Sequence, residues 1–157
     1  MSLLPESLEL QVVTPRRLLV QEWVDEVQVP GKNGYLGILP GHAPLLSELQ
    51  LGELSFRQGN RWTYLTVFWG FVEVLPERVV VLAEIAERGE EIDVGRAREA
   101  RDRAQERLKH MDDPDLDITR AQIALQRALI RLQVAGKAGG TGAVAPVRHS
   151  EEGGPSH

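Results

Sequence analysis

Three arginines on one predicted helix near the end of the chain have no acidic neighbours within that helix. The residues are Arg120, Arg127 and Arg131, and no aspartate or glutamate occurs between Asp117 and Gly136. Guanidinium groups form paired, charge-assisted hydrogen bonds with carboxylates and phosphates. These arginines therefore indicate contact with an acidic protein surface or a phosphate chain. A solvated helix face is the common alternative for any charged helix.

Other reactive groups do not form a catalytic pattern in the sequence. Cysteine is absent, which excludes disulfides and thiolate metal sites. The four histidines are scattered, at positions 42, 110, 149 and 157. No zinc-protease motif, calcium loop or phosphate-binding glycine loop is present. The carboxylate pairs Glu90-Glu91 and Asp112-Asp113 lie in predicted connecting segments. The sequence predicts no metal site and favours an interaction or regulatory protein over an enzyme.

Residues 8–86 have the sequence pattern of a β domain. Apolar residues alternate or form short β-branched runs, separated by turn residues. Residues 62–68 and 71–75 are predicted as two strands, followed by a last strand over residues 79–85. The predicted strand ends and turns are Pro30-Gly31, Asn33-Gly34, Gly59-Asn60 and Pro76-Glu77. Many short strands at this spacing predict an antiparallel sandwich or barrel.

Residues 92–135 have helical periodicity instead, in two segments separated by Asp112-Asp113-Pro114-Asp115. Each segment opens with an aspartate suited to cap a helix, Asp93 or Asp117, and Gly136 is the predicted end of the second. The apolar stripes are Ala97, Ala100, Ala104, Leu108 and Met111, then Ala121, Ala124, Leu125, Ala128, Leu129, Leu132 and Ala135. Alanine buries little area. Either the helices separate and repack elsewhere, or the hairpin simply lies on the β domain.

Composition narrows the class of protein further. The 157 residues carry a formal net charge of −5, which argues against a general nucleic-acid binder. The longest apolar stretch, residues 65–75, contains Glu73 and is too short to span a membrane. The first ten residues have no basic cluster of the secretory type. These features predict a soluble, cytoplasmic protein that could still dock on a membrane-bound partner.

One loop, residues 34–44, is the most distinctive segment of the chain. It reads G-Y-L-G-I-L-P-G-H-A-P and places Leu36, Ile38 and Leu39 on a backbone constrained by glycine and proline. The segment is either a sandwich corner whose apolar side chains close the core, or a rigid docking loop, because exposed apolar patches usually mark partner sites.

This loop resembles the epsilon subunit of bacterial F-type ATP synthases. The resemblance covers residues 5–135 and includes the two alanine-rich helices in the same order. Its other motifs are Thr14-Pro15, Val29-Pro30-Gly31, Gly70-Phe71-Val72-Glu73-Val74 and the strand over residues 79–83. One departure is Trp69, where the family often has a second glycine.

The resemblance implies a β-sandwich domain over residues 1–88, a regulatory α-helical hairpin over residues 89–136 and a disordered tail over residues 137–157. It implies a non-catalytic subunit of the central stalk, peripheral to the cytoplasmic face of the membrane. The sandwich would contact the gamma subunit and the c-ring and couple ion flow to rotary ATP synthesis. The loop residues that could form this contact are Gly37, Ile38, Leu39, Pro40, Gly41, His42, Ala43 and Pro44. Extended helices would reach the alpha/beta catalytic head and inhibit hydrolysis.

The resemblance also implies ATP as a regulatory ligand, although no cofactor is required. Some bacterial members bind ATP on the folded hairpin and carry I-D-x-x-R-A, which here begins at Ile92. ATP would then favour the folded hairpin and relieve inhibition. The matching residues are Glu87, Ile92, Asp93, Arg96, Arg103, Arg127 and Arg131. Because Arg120 repeats the placement of Arg96, part of the motif could simply mark a helix start.

Two other classes of protein are compatible with parts of the sequence. One is a β-sandwich binding module with a coiled-coil dimerisation hairpin, which would need leucine or isoleucine at sustained heptad positions. The alanines of the first helix argue against it. The other is a small nucleotide-binding enzyme, which the missing catalytic groups disfavour.

Overall fold

The computed structural model describes residues 4–139. Eight β-strands come first, then a 3₁₀ turn at Gly89–Glu91 and two α-helices. The strands are β1 Leu8–Val13, β2 Leu18–Val24, β3 Glu26–Gly31, β4 Gly34–Ile38, β5 Leu45–Leu49, β6 Gly52–Gln58, β7 Arg61–Val74 and β8 Arg78–Arg88. The helices are α1 Val94–Leu108 and α2 Ile118–Ala138. The predicted fold class, a β-sandwich followed by a helical hairpin, is confirmed.

The eight strands form one hydrogen-bonded network that closes on itself. The main path runs β2-β1-β8-β7-β5-β3-β4, and β6 pairs with both β3 and β7. All pairs are antiparallel except β1 with β8. Inward positions alternate with outward ones along β1, as a half-buried strand requires. The enclosed core is aliphatic and includes Leu10, Val27, Leu54, Leu65 and Val81.

Strand β7 is longer than the sequence indicated, because the two predicted strands over residues 62–68 and 71–75 are one. Its first half pairs with β6 and its second half with β5. The change of partner lies between Val67, which pairs with Gly52, and Gly70, which pairs with Leu49. Trp69 and Gly70 have positive φ at this bend, 56° and 136°. The bend lets one strand serve both halves of the sandwich.

The tight turns follow the predicted dipeptides, with small shifts. β6 and β7 are joined at Gly59-Asn60, with Gly59 at φ 64°. The β3–β4 turn lies at Lys32-Asn33, one residue before the predicted Asn33-Gly34. β3 ends at Gly31, so the strand end predicted at Pro30-Gly31 is confirmed. Gly31 pairs with Gly34, which continues the ladder to the turn itself.

Both helices start as the sequence predicts. The Asp93 carboxylate accepts a hydrogen bond from the Arg96 backbone N–H at 3.1 Å, and Asp117 does the same for Arg120 at 3.0 Å. These bonds satisfy one unpaired amide in each first turn. The buried residues of α1 are Ala97 and Ala104, which confirms an alanine stripe. Met111 lies beyond the end of α1 and is exposed, so it does not belong to that stripe.

The end of α2 corrects the predicted boundary of the tail. Gly136 lies inside α2, which continues to Ala138, so glycine does not stop this helix. Lys137 is held by an ion pair with Glu53, and the methyl of Ala138 packs against Gly89. Contacts with the sandwich therefore outweigh the helix-weakening effect of one glycine, about 1 kcal/mol. The predicted disorder of residues 140–157 lies outside the described residues.

The hairpin lies folded against the sandwich. α2 packs on β7, on β6 and on the Gly89–Glu91 turn, while α1 packs on α2. Phe68 and Tyr64 are buried but do not belong to the sandwich core, because α2 covers their side of β7. Of the two alternatives from the sequence, the structure shows the hairpin lying on the β domain.

Candidate functional site

A cavity of about 520 Å³ lies between the end of the sandwich and the two helices. We call it the arginine cavity, because three guanidinium groups line it together with three carboxylates. Its lining consists of Glu87, Glu91, Ile92, Asp93, Arg96, Ala97, Ala100, Arg103 and Arg131. Six of the seven residues predicted to bind ATP are thus brought together from β8, the segment before α1, α1 itself and α2.

Glu87 occupies the sandwich side of the arginine cavity and is held in place from two directions. One of its carboxylate oxygens accepts a hydrogen bond from the Thr66 hydroxyl at 3.0 Å and another from Arg131 Nε at 2.9 Å. Thr66 is buried, while Glu87 and Arg131 are half-buried. Fixed carboxylates of this kind can accept hydrogen bonds from ribose hydroxyls or an amino group.

The helix side of the arginine cavity is formed by the start of α1. Arg96 and Arg103 lie two turns apart on one face, and both side chains are exposed. Asp93 lines the cavity and caps α1 as well, so the two interpretations of this residue are compatible. Glu91 is tied to Arg17 of the β1–β2 turn at 2.6 Å, a hydrogen bond that raises the pKa of Arg17. The cavity can therefore present arginines to phosphates and carboxylates to polar hydrogens.

Arg127 is the predicted ATP-binding residue that does not line the arginine cavity. Its guanidinium lies over the Trp69 ring at 5.2 Å from the ring centre. Its Nε is buried and has no hydrogen-bond partner among the described residues. Arg131, one turn further along α2, lies over Phe68 at 5.0 Å while it also bonds Glu87. Arg127 and Arg131 share one face of α2, but only Arg131 lies far enough along the helix to line the arginine cavity.

The end of α2 makes a polar contact that the sequence did not indicate. Lys137 Nζ lies 2.8 Å from a Glu53 carboxylate oxygen, and the Glu53 side chain is only 7 % exposed. The Lys137 ammonium also lies 5.4 Å from the centre of the Tyr64 ring. Burial raises the pKa of Tyr64, and the nearby Glu53 carboxylate raises it further. No motif marks Glu53, because its partner is 84 residues away in the chain.

The distinctive loop is a tight corner at the end of β4. Gly41 has φ 86°, and its N–H donates to the Pro76 carbonyl at 2.7 Å. The His42 N–H donates to the Leu39 carbonyl, and the His42 ring contacts the Ala43 carbonyl. These bonds show the constrained backbone that the sequence predicted. Gly37, Ala43 and Pro44 are exposed, while Pro40, Gly41 and His42 are half-buried.

The apolar residues of the loop divide between the two predicted roles. Ile38 belongs to β4 and is fully buried in the core, so its side chain closes the sandwich and is not available to a partner. Leu39 is 53 % exposed and projects from the surface. Leu36 is half-buried against the core. Of the three, Leu39 alone has a largely exposed side chain.

A second apolar surface, missed in the sequence, lies on the outer face of the sheet. Leu82 pairs with Phe71 on one side and with Val13 on the other, and Val13 pairs with Leu18. Leu82 and Phe71 are 54 % and 51 % exposed. We call the row Leu18, Val13, Leu82 and Phe71 the outer apolar row. Apolar residues at outward positions of four adjacent strands are the signal that could have revealed it.

Family models match both parts of the described chain. The β-sandwich domain of the ATP synthase delta/epsilon chain matches residues 7–89, and its long alpha-helix domain matches residues 90–136. The chain belongs to the ATP synthase delta/epsilon chain family. The family inferred from residues 34–44 and the accompanying motifs is therefore confirmed.

Curated relatives within this family match over most of their length. An ATP synthase epsilon chain of Syntrophotalea carbinolica is 48 % identical over 134 residues, which is 85 % of this chain and 97 % of the relative. The ATP synthase epsilon chain of Koribacter versatilis is 55 % identical over 104 residues, 66 % of this chain and 73 % of the relative. Both of these relatives of this delta/epsilon family member are ATP synthase epsilon chains.

A solved structure supports the fold. A chain in the cryo-EM structure of the Euglena gracilis mitochondrial ATP synthase, OSCP/F1/c-ring, superposes with a TM-score of 0.73 at 23 % identity. The match covers 85 % of this chain and 84 % of that one. Within residues 4–139, no helix is long and apolar enough to cross a membrane. The same residues contain no cluster of histidine, aspartate and glutamate suited to a metal ion.

Proposed function

We propose that this chain is the epsilon subunit of the central stalk of a bacterial F-type ATP synthase, peripheral to the cytoplasmic face of the membrane. The observation that carries the proposal is the match of both family domains, in order, to residues 7–89 and 90–136. Epsilon chains that match over 97 % of their length support the same assignment. In this role the chain catalyses no reaction and couples ion flow through the c-ring to ATP synthesis.

The sandwich is the part that would join the rotor. Leu39 in the constrained loop and the exposed side chains of Phe71 and Leu82 offer apolar surface to the gamma subunit and the c-ring. A constrained backbone lowers the entropy that docking has to overcome. The contact therefore extends beyond the predicted loop residues to the outer apolar row.

The hairpin is the part that would regulate hydrolysis. Its folded position combines the burial of Phe68 and Tyr64 under α2 with two ion pairs, Arg131 with Glu87 and Lys137 with Glu53. The seam between the two helices is weaker, because the buried residues of α1 are alanines. Alanine burial contributes little to stability. Release of the hairpin toward the alpha/beta catalytic head therefore costs less than separating a leucine-rich interface.

Truncation tests the inhibitory role. We expect an assembled complex whose chain ends after Glu91 to hydrolyse ATP about 5-fold faster or more, because the inhibitory helices are gone. The matched control ends after Gly139, which keeps every described helix. Equal hydrolysis by the two truncated complexes and the full-length complex would remove the inhibitory role and leave the rotor role standing.

ATP is proposed as the ligand of the arginine cavity. Arg96, Arg103 and Arg131 would bind the phosphates, while Glu87 and Asp93 would bind the base or ribose. A ligand can contact β8, α1 and α2 at the same time only when the hairpin is folded. It shifts the equilibrium toward that state by its difference in affinity for the two states.

Arg103→Ala tests the ligand. Arg103 lines the arginine cavity and its side chain is exposed, so its removal changes ligand binding with little effect on folding. We expect a Kd for ATP about 10-fold weaker, measured by titration calorimetry on the full chain, since one charge-assisted contact is lost. Arg98→Ala, on the same helix but outside the cavity, serves as control. Absence of saturable ATP binding, or equal losses in both variants, would contradict the proposed ATP site.

A further inference from the structure

Trp69 has an unusual backbone for its side chain. Among the described residues it is the only non-glycine with positive φ, at 56°. Such a conformation is strained for a bulky side chain and persists only where the surroundings compensate. The strain lies at the bend where β7 changes its partner from β6 to β5.

The left-handed backbone changes where the Trp69 ring points. In a regular strand, consecutive side chains project to opposite faces, so Phe68 and Trp69 would not both face α2. Here both rings do: Arg131 lies 5.0 Å from the centre of Phe68, and Arg127 lies 5.2 Å from the centre of Trp69. Arg127 and Arg131 are one helical turn apart, so two adjacent aromatic residues of β7 meet two successive turns of α2.

Arg127 depends on this ring. Its Nε is buried and unpaired within residues 4–139, and the residue is absent from the lining of the arginine cavity. Arg127 as a whole is half-buried, and the attraction between a cation and an aromatic face grows as the cation loses contact with water. The Trp69 ring therefore supplies an attractive interaction to a guanidinium whose Nε is buried without a hydrogen bond.

We propose that Trp69 and Arg127 form a clamp that holds the middle of α2 on the sandwich and sets the fraction of chains with a docked hairpin. The contact between the Trp69 ring and α2 offsets the strain in the Trp69 backbone. The regulatory consequence rests on the proposed switch between folded and extended helices. Because Arg127 lies outside the arginine cavity, the clamp acts whether or not the cavity is occupied.

Hydrogen exchange of the full chain measures the clamp directly. We expect Trp69→Leu and Arg127→Met each to accelerate amide exchange in α2 by about 2- to 30-fold, with no comparable change in β1 and β2. Trp69→Tyr keeps an aromatic face and should exchange more slowly in α2 than Trp69→Leu. Arg120→Met, an exposed arginine on the same helix, is the matched control and should exchange like the unaltered chain.

Two further variants separate the clamp from a purely structural role of the bend. Trp69→Gly removes the ring but suits the backbone, so α2 should exchange faster although the sandwich unfolds at no lower denaturant concentration than in Trp69→Leu. The double variant of Trp69→Leu and Arg127→Met should exchange little faster than either single one. The clamp would be overturned if α2 exchanged more slowly in Trp69→Gly than in the unaltered chain, or if the two single effects on the exchange rate multiplied fully in the double variant. It would also be overturned if Arg127→Met lost ATP binding while α2 exchange stayed unchanged. Since exchange is measured on the isolated chain, its outcome is independent of hydrolysis by the complex.

Discussion

Gly70→Ala is expected to lower the free energy of unfolding by about 4 kcal/mol or more, an effect large enough to prevent folding. A Cβ at this position would lie 1.9 Å from the Leu82 carbonyl oxygen and 2.9 Å from the Ala83 Cα. Both are backbone atoms of the paired strand β8, so they cannot move aside like a side chain. The φ of 136° adds strain for any residue with a Cβ.

Gly34→Ala is the control that isolates the conformational part of this effect. Gly34 has a similar φ of 128°, but a Cβ there would meet no atom within 4 Å. We expect a loss of about 1–2 kcal/mol, from backbone strain alone. Urea unfolding followed by circular dichroism measures both variants. If the two substitutions cost the same, steric contact with β8 is not what requires glycine at position 70.

Lys137→Met is expected to release the end of α2, with a loss of about 1–3 kcal/mol in the free energy of hairpin docking. The substitution keeps the length of the side chain but leaves the buried Glu53 carboxylate without its ammonium partner. Gln133 still reaches Glu53, at 3.5 Å, but cannot neutralise it. Hydrogen exchange of α2 measures docking, and urea unfolding reports on the sandwich.

The second substitution Glu53→Gln tests the reason for this loss. If a buried unpaired charge is the cause, the double variant should recover most of the docking free energy, because a neutral amide is less costly to bury. Lys109→Met removes a lysine whose ion pair with Glu106 lies on the surface. This substitution should leave the free energy of docking unchanged within the error of the measurement. A double variant no better than Lys137→Met would instead attribute the effect to lost packing against Tyr64.

Local signals in the sequence were sufficient where the decisive interactions are local. Asp93 and Asp117 cap their helices through residues three positions away, and Gly59-Asn60 turns between strands that pair with each other. Gly136 did not predict the end of α2 correctly. Lys137 and Ala138 contact Glu53 and Gly89, so the helix continues past Gly136 through contacts remote in sequence.

The two rings at the bend of β7 show why side-chain direction could not be read from the sequence. Alternation predicts opposite faces for Phe68 and Trp69, yet both meet α2. The reason is the positive φ of Trp69, at the point where β7 exchanges its partner β6 for β5. In the loop, alternation is regular, but which of Ile38 and Leu39 faces inward was set by the pairing of β4 with β3.

The sequence by itself determined the order of the two domains, the capped helices, the family and most of the residues that line the arginine cavity. Strand alternation, helical periodicity and the loop at residues 34–44 are local patterns, and each is readable from neighbouring residues. Only the tertiary structure decided that Arg131 faces Glu87 while Arg127 lies on Trp69. The rotation of α2 about its axis depends on where it docks on β7, and that docking is set by residues more than 40 positions away in the chain.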